Sequence, residues 1–293
     1  REYIQNALDS INAAARKGIL SKVKDGNVSV SINRQEREVR IEDNGQGIPT
    51  EEVAARLLNI ADSPKDGISA AGQFGIGRLV GAGYCRRLVF ETSVKGEKIK
   101  TRLELDVDFV ENVLRDSSDD SSANELMDAA TQLKRSAEKE EAHYFKVFLE
   151  DIKPDYDQLL DEELVTDYLK EVAPIDFSLP FKSRYYNAIE EEYKPYSNGL
   201  SYVNISVNQQ NDIRKRYGLK IEGTEDTIEE LECFIIKDDK YGELAWGWFA
   251  LTKFSKAIPA SDANRGLRLR KHNIQIGDQT VLNKYFTEAR GNN

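Results

Sequence analysis

The apolar spacing changes period once near the start of the chain, and that change restricts the fold more than any other feature. Ile4, Leu8, Ile11 and Ala15 stand at i, i+4, i+7 and i+11, which predicts a helix with one buried stripe from Glu2 to about Lys17, with Gly18 suited to its end. Val28, Val30 and Ile32 then alternate with polar residues, and Val39 and Ile41 do so again after the charged turn at Arg34 to Arg37, which predicts a hairpin. A second helix is expected from Thr50, its N-cap, to about Ala61, with Val53, Leu57 and Ile60 inward. After a glycine loop come a short helix near Arg78 to Tyr84 and strands at Arg87 to Val94 and Lys98 to Val107. Helix, hairpin, helix and further strands is the order of an α+β sandwich, not the βαβ rhythm of a parallel sheet.

At 293 residues and 40% hydrophobic content the chain is expected to hold two domains. The segment Ala173 to Pro180, with two prolines and no helical period, places the boundary near residue 180. Within 1–180, the small residues of Ala61 to Ala71 predict a lid that runs on to the glycine loop at about 77. Residues 111–142 predict an acidic insert, an exposed turn at Asp116 to Ser122 followed by a solvated helix around 125–141. A strand at Tyr144 to Leu149 and a helix at Leu159 to Glu171 return the chain to the core. In 181–293, strands at Ser201 to Asn208, Glu232 to Lys237 and Leu244 to Leu251 imply a smaller α/β domain. Residue 1 is Arg at the mouth of a helix, so further chain is expected upstream, and Arg290 to Asn293 does not read as a terminus.

Several classes are disfavoured. No apolar run approaches the roughly 18 to 20 residues of a membrane span, and no leader resembles a signal peptide, so no membrane is expected and the cytoplasm is the default location. Cys85 and Cys233 lie far apart with no Cys or His at metal spacing, against a disulfide framework and against zinc; His143 and His272 receive no catalytic task. A net charge of -10 argues against a general nucleic-acid coat.

Three motifs carry chemistry. Glu2, Asn6 and Asp9 form one helical stripe, and at about 100° per residue Glu2 lies about 200° from Ile4. Such a stripe is ordinarily a solvated face, yet Asn is a mediocre helix former with no reason of its own to sit mid-helix. In a site, Asn6 would offer a neutral carbonyl oxygen to Mg²⁺ and Glu2 would orient and deprotonate a water. Asp43 shares the parity of Val39 and Ile41, so it points where buried residues point. A carboxylate there requires a donor, and the exocyclic amine of adenine is one. Gly45 and Gly47 would allow close backbone approach to the base; the alternative is a plain Asn-Gly hairpin turn. Gly72, Gln73, Phe74, Gly75, Ile76 and Gly77 open a helix whose first amides favour phosphate. No Gly-Lys-Ser/Thr follows, so this is not a Walker loop. Lys65 is either a phosphate contact or an exposed lysine. Together the motifs predict a site for ATP and Mg²⁺.

Glu2-x3-Asn6-x2-Asp9, Asp43-x-Gly45-x-Gly47 and Gly72-x2-Gly75-x-Gly77 resemble the boxes of the GHKL ATPases, the superfamily of gyrase B, HtpG-type heat-shock chaperones, sensor histidine kinases and MutL. Gly72 to Gly77, Ile60-Ala61-x-Ser63 and Arg1-Glu2 are most similar to the chaperone branch. The resemblance covers residues 1 to about 94 and implies the Bergerat α/β sandwich, with Glu2 as general base, Asn6 as Mg²⁺ ligand and Asp43 as adenine reader. It further implies ATP hydrolysis, lid closure, a nucleotide-bound homodimer and a chaperone-like cycle on a protein client, the alternative being a MutL- or gyrase-like DNA module. The histidine-kinase branch is weaker, because those proteins lack the ATPase glutamate. Where the family offers a Thr in its fourth box, this strand reads His143-Tyr144-Phe145-Lys146-Val147.

Beyond residue 180, Trp246 to Leu251, Arg265 to Arg270 and Ile274 to Asp278 resemble the second, transducer-like domain of chaperone and MutL relatives, which sends an Arg or Lys to the γ-phosphate; Lys253 and Lys256 are candidates. Arg265, Arg268, Arg270, Lys271 and His272 would suit a nucleic-acid backbone, but a strand with Leu267 and Leu269 inward explains them as well. Trp246 and Trp248 share a strand face and are expected to be core anchors.

Overall fold

A computed structural model describes residues 1–58, 76–115, 122–194, 202–208, 210, 213–221, 225–258, 266–278, 280–282 and 285. The chain divides into two units, Arg1–Leu169 with Tyr202–Ile213, and Lys170–Ser201 with Arg214–Asn293.

The first unit opens with α1 (Glu2–Arg16), which buries Tyr3, Ile4, Ala7, Leu8, Ile11 and Ala14. Ala14 takes the inward place expected of Ala15, because the stripe follows 3.6 residues per turn and drifts back by one position in the last turn. Gly18 ends the helix at φ 71°, with the Ile19 N–H returning to Ala14 at 2.9 Å. Strands β1 (Asn27–Asn33) and β2 (Glu38–Asp43) form the expected hairpin. The next helix, α2 (Val53–Leu58), starts later than expected. Thr50 is not its N-cap, since its N–H and Oγ both donate to Glu97 Oε2, at 3.1 and 2.9 Å. A 3-10 turn at Ile76–Gly83 leads to β3 (Cys85–Ser93) and β4 (Ile99–Asp106).

Residues 111–142 differ from the expected insert. They hold the end of α3 (Val107–Arg115), then α4 (Ala123–Ala130) started by a Ser122/Glu125 capping box, then β5 (Thr131–Ala137) in place of continued helix. β5 is an edge strand, exposed almost throughout. Its pairing is set by the free ladder of β4, and Lys134 and Arg135 suit an edge that must not pair further. The segment 116–121 lies outside the described residues. β6 (Tyr144–Ile152), a 3-10 segment (Pro154–Leu160) and α5 (Glu162–Val172) follow; the division between units falls within α5.

β7 (Asn204–Val207) returns to the first unit and runs parallel to β1, completing a seven-stranded sheet in the order β5-β4-β3-β6-β2-β1-β7. Its core face is layered in rows that follow from register. Ile32, Val39, Leu149, Leu88 and Leu105 lie side by side, then Val30, Ile41, Val147, Phe90 and Leu103, each fully buried side chain being worth about 1.5–3 kcal/mol. The next row, Val28, Asp43, Phe145, Thr92 and Thr101, turns polar although Asp43, Thr92 and Thr101 are all buried. The opposite face carries charges of both signs, Glu42, Lys146, Glu91, Arg102 and Lys134 across five strands.

The second unit is built around aromatic residues. α6 (Leu179–Phe181), a π-helical stretch (Lys182–Tyr186) and α7 (Asn187–Tyr193) bury Phe181, Tyr186, Ile189 and Tyr193 with Phe177. Strands β8 (Glu230–Asp238) and β9 (Gly242–Leu251) pair as a hairpin. From β9, Trp248 meets Phe181 at 5.2 Å and Trp246 meets Tyr193 at 4.2 Å, so both tryptophans anchor this core. A small hairpin, β10 (Arg270–Lys271) and β11 (Ile274–Gln275), turns through His272 and Asn273, both at positive φ.

Here the expected parity is inverted. Leu267 and Leu269 are exposed, and the arginines turn inward: Arg268 Nε lies 2.9 Å from Glu171 Oε1, and Arg270 Nη2 donates to the Glu171 carbonyl at 2.6 Å. Lys215, buried, donates to the Ala173 carbonyl at 2.9 Å. Carbonyls at and just past a helix C-terminus attract cations, and that demand outweighs the burial of two leucines. Arg268 and Arg270 are thus paired inside the unit and do not form an outward basic track; Arg265 lies outside the described residues.

Candidate functional site

The polar end of the sheet's core face meets the polar stripe of α1. Glu2, Asn6, Asp9 and Ser10 are all half-buried, so the stripe is not a solvated face. Tyr3, buried at the edge of that stripe, fixes this placement. Its hydroxyl accepts from the Gly81 N–H at 2.9 Å and donates to the Arg78 carbonyl at 2.9 Å, and burial pushes its pKa up. α1 is thereby tied to the 3-10 turn that follows the glycine loop. As a result the first motif touches the third: a Cβ on Gly77 would lie 2.7 Å from Glu2 Oε2. Glu2 Oε1 accepts from Arg1 Nη2 at 3.1 Å.

The second motif packs against the far end of the same stripe. Asp43 is buried as its parity requires, and its Oδ1 accepts the Gly45 N–H at 2.9 Å. Ser10 supplies a second hydrogen bond to the carboxyl. Neither donor is charged, so burial dominates and raises the pKa to about 7, with Glu42 adding to the rise.

Each residue of the turn after Asp43 is held. Asn44 Oδ1 accepts from the Asn27 N–H at 2.7 Å, and Asn44 Nδ2 donates to the Asp25 carbonyl at 3.1 Å. The Gly45 carbonyl accepts from His143 Nδ1 at 2.9 Å. The Gln46 N–H reaches the Ser10 carbonyl at 3.3 Å, and the Ile48 N–H reaches Thr92 Oγ at 2.8 Å. Gly47 sits at φ 70°, and a Cβ there would overlap the Ser93 carbonyl oxygen; one at Gly45 would overlap Ser10 Oγ. The glycines therefore allow the turn to approach β3 and α1. Gln46 carries its Oε1 into a buried position without a protein partner.

Of the third motif, Gly77 is described and Ile76 opens the 3-10 turn, which replaces the expected helix. Gly72, Gln73, Phe74, Gly75 and Lys65, with the rest of the expected lid up to residue 75, lie outside the described residues. In the second unit Lys253 is exposed, 3.5 Å from Glu229, and Lys256 is exposed. Ser10, Thr92 and His143 join the site without having been expected there. Ser10 falls on the Glu2-Asn6 stripe two turns on, and Thr92 shares the buried parity of Leu88 and Phe90, so both carried a signal; His143 carried none beyond its place before a strand.

A cleft of about 320 Å³ elsewhere on the first unit is lined by Arg86, Asp108, Glu111, Arg115, Lys153 and Asp155, among others. Its charges neutralise one another, with Arg86 3.0 Å from Asp108 and Lys153 2.6 Å from Glu111, so it offers no net charge to an ion. Among the described residues no helix is long and apolar enough to cross a membrane.

No curated protein matches the chain. Its mixed α+β fold is that of the Bergerat sandwich, and residues 1–138, which hold Glu2, Asn6, Asp43, Gly45, Gly47 and Gly77, match the family model of the histidine kinase-, DNA gyrase B- and HSP90-like ATPases.

Proposed function

We propose that the chain binds ATP with Mg²⁺ and hydrolyses it to ADP and phosphate. The observation that carries this reading is the buried Asp43 carboxyl, held by two neutral donors at the end of a half-buried Glu-Asn-Asp stripe. In it, Asp43 accepts a hydrogen bond from the exocyclic amine of adenine. Asn6 would hold Mg²⁺ through its side-chain carbonyl oxygen, and the ion when bound would neutralise phosphate charge. Glu2 orients and deprotonates the attacking water. Gly45 and Gly47 shape the base-side turn, and Lys65 with Gly72, Gln73, Phe74, Gly75, Ile76 and Gly77 receives the phosphates. The first unit acts as the ATPase domain and the second as a transducer-like domain, with β7 of 202–213 belonging to the first although the sequence placed it past the boundary at 180.

The further reading is that hydrolysis drives dimerisation and a chaperone-like cycle on a protein client. A net charge of -10, with Arg268 and Arg270 paired internally, favours it over a DNA-processing role. The test is steady-state ATPase activity with parallel binding measurements. Glu2→Ala should lower turnover by about 10² to 10⁴-fold while ATP still binds, and Asp43→Asn should weaken binding itself. Unchanged turnover in Glu2→Ala would remove the general-base assignment. Stimulation by DNA that fades with salt, in place of stimulation by an unfolded protein, would overturn the client reading.

A further inference from the structure

Asp43 reads a base only if its carboxyl is held in one orientation, and the residues that hold it are unusual for what they leave in place. Gly45 is fixed through both of its backbone groups. Its N–H is on Asp43 Oδ1 at 2.9 Å, and its carbonyl accepts from His143 Nδ1 at 2.9 Å. A carbonyl has no proton to give, so Nδ1 of His143 carries the hydrogen. From the other side Ser10 hydrogen-bonds the same carboxyl, and its own carbonyl takes the Gln46 N–H at 3.3 Å. A Cβ on Gly45 would meet both Ser10 Oγ and Asp43 Oδ1, which places the hydroxyl and the carboxyl around one small space. His143 begins the approach to β6, where Phe145 pairs with Asp43. Three distant segments, α1, the turn after β2 and the start of β6, therefore converge on one carboxyl.

Resting on the ATP-site reading above, we infer that Ser10 and His143 are positioning residues for base recognition, and that they make this site selective for a purine with a 6-amino group. Two neutral donors occupy part of the carboxyl and leave acceptor capacity unused, since a carboxylate has about four lone-pair sites. A 6-amino group donates to that remainder. Above pH 7, where the carboxyl is ionised, a 6-oxo purine presents an acceptor there and is repelled, and a purine without a 6-substituent leaves that capacity unused. Without Ser10 or His143 the carboxyl and its turn take more than one orientation, and the contrast between bases falls.

The test measures affinities of the whole chain for ATP, GTP and the triphosphate of purine riboside, which lacks the amine, by calorimetry above about pH 8, where the Asp43 carboxyl is ionised. The quantity read is the ratio of ATP affinity to amine-free affinity. Ser10→Ala and His143→Ala should each lower that ratio by about tenfold, the worth of a correctly oriented hydrogen bond. Ser10→Thr, which keeps the hydroxyl, and His143→Asn, which keeps an N–H donor, should restore most of it. A merely structural role would weaken both nucleotides alike, so an unchanged ratio in Ser10→Ala and His143→Ala overturns the inference. Asp43→Asn separates the two levels. If it collapses the ratio while Ser10→Ala and His143→Ala do not, base reading by Asp43 stands and the positioning roles fall. If Asp43→Asn also preserves the ratio, the assignment of Asp43 to the base falls with them.

Discussion

Asp43→Asn should make the protein more stable at alkaline pH while impairing its proposed task. The folded carboxyl titrates at about 7 against an ordinary value of 3.8, because burial outweighs the Gly45 and Ser10 hydrogen bonds. Below pH 3.8 the group is protonated in both folded and unfolded chains and has no effect on stability. Between 3.8 and 7 the folded chain keeps a proton that the unfolded chain releases, so stability falls as pH rises through this window, and above 7 the whole penalty is present. Each tenfold in proton affinity is worth about 1.4 kcal/mol, which puts the full penalty at about 4 kcal/mol. That figure is a ceiling, since water entry and local relaxation soften a buried charge.

Asn keeps the shape and the acceptor oxygen and removes the ionisation. Relative to the parent, Asp43→Asn should therefore gain up to about 3 kcal/mol between pH 5 and pH 8. Urea unfolding at several pH values measures the gain. Both tryptophans, Trp246 and Trp248, belong to the second unit, so far-UV circular dichroism should be followed for the sheet while fluorescence tracks the other unit separately. A stability difference between the two proteins that does not change with pH would refute the argument, because it would mean that Asp43 is ionised at its ordinary pH. If the substitution both stabilises and weakens ATP binding, the carboxyl is retained for recognition at a cost in stability.

Three other substitutions, one of them with a control, test the packing within each unit. Tyr3→Phe leaves the Gly81 N–H and Arg78 carbonyl without their partner and should cost about 1–3 kcal/mol, seen as a lower urea midpoint of the circular-dichroism transition; no change would mean that α1 is not held through this hydroxyl. Gly47→Ala forces a side chain into positive φ and onto the Ser93 carbonyl and should cost more than about 1 kcal/mol, whereas Gly83→Ala, with open space at its Cβ, should be near neutral; equal effects would refute the close packing of the turn. Arg270→Ala removes donors to the Glu171 and Asn273 carbonyls and should destabilise the second unit by about 1–3 kcal/mol in tryptophan fluorescence, with no change in any salt-dependent binding; the reverse pattern would mean that this arginine serves an external anion.

The parts of the fold that were legible in the sequence are those where one local rule acts alone. The period of Ile4, Leu8 and Ile11 gives α1, and the alternation from Val28 to Asp43 gives both the hairpin and the burial of a carboxylate. Where a distant partner supplies the deciding energy, local pattern misleads. β5 is a strand because β4 offers an unpaired ladder, although its residues show no apolar alternation. Leu267 and Leu269 face solvent because Arg268 and Arg270 are drawn to the end of α5, a demand set about a hundred residues earlier in the chain.

The site divides along the same line. Asp43 was readable because strand parity is a local property, and Glu2 with Asn6 because helical phase is one too. Ser10 and His143 act on Asp43 from α1 and from the start of β6, and only the sheet order β6-β2 brings His143 within 2.9 Å of Gly45. The chemistry-bearing groups are thus local and motif-like, and the groups that orient them are tertiary. A substitution among the first group should change whether the site works at all. One among the second should change how well it distinguishes one base from another.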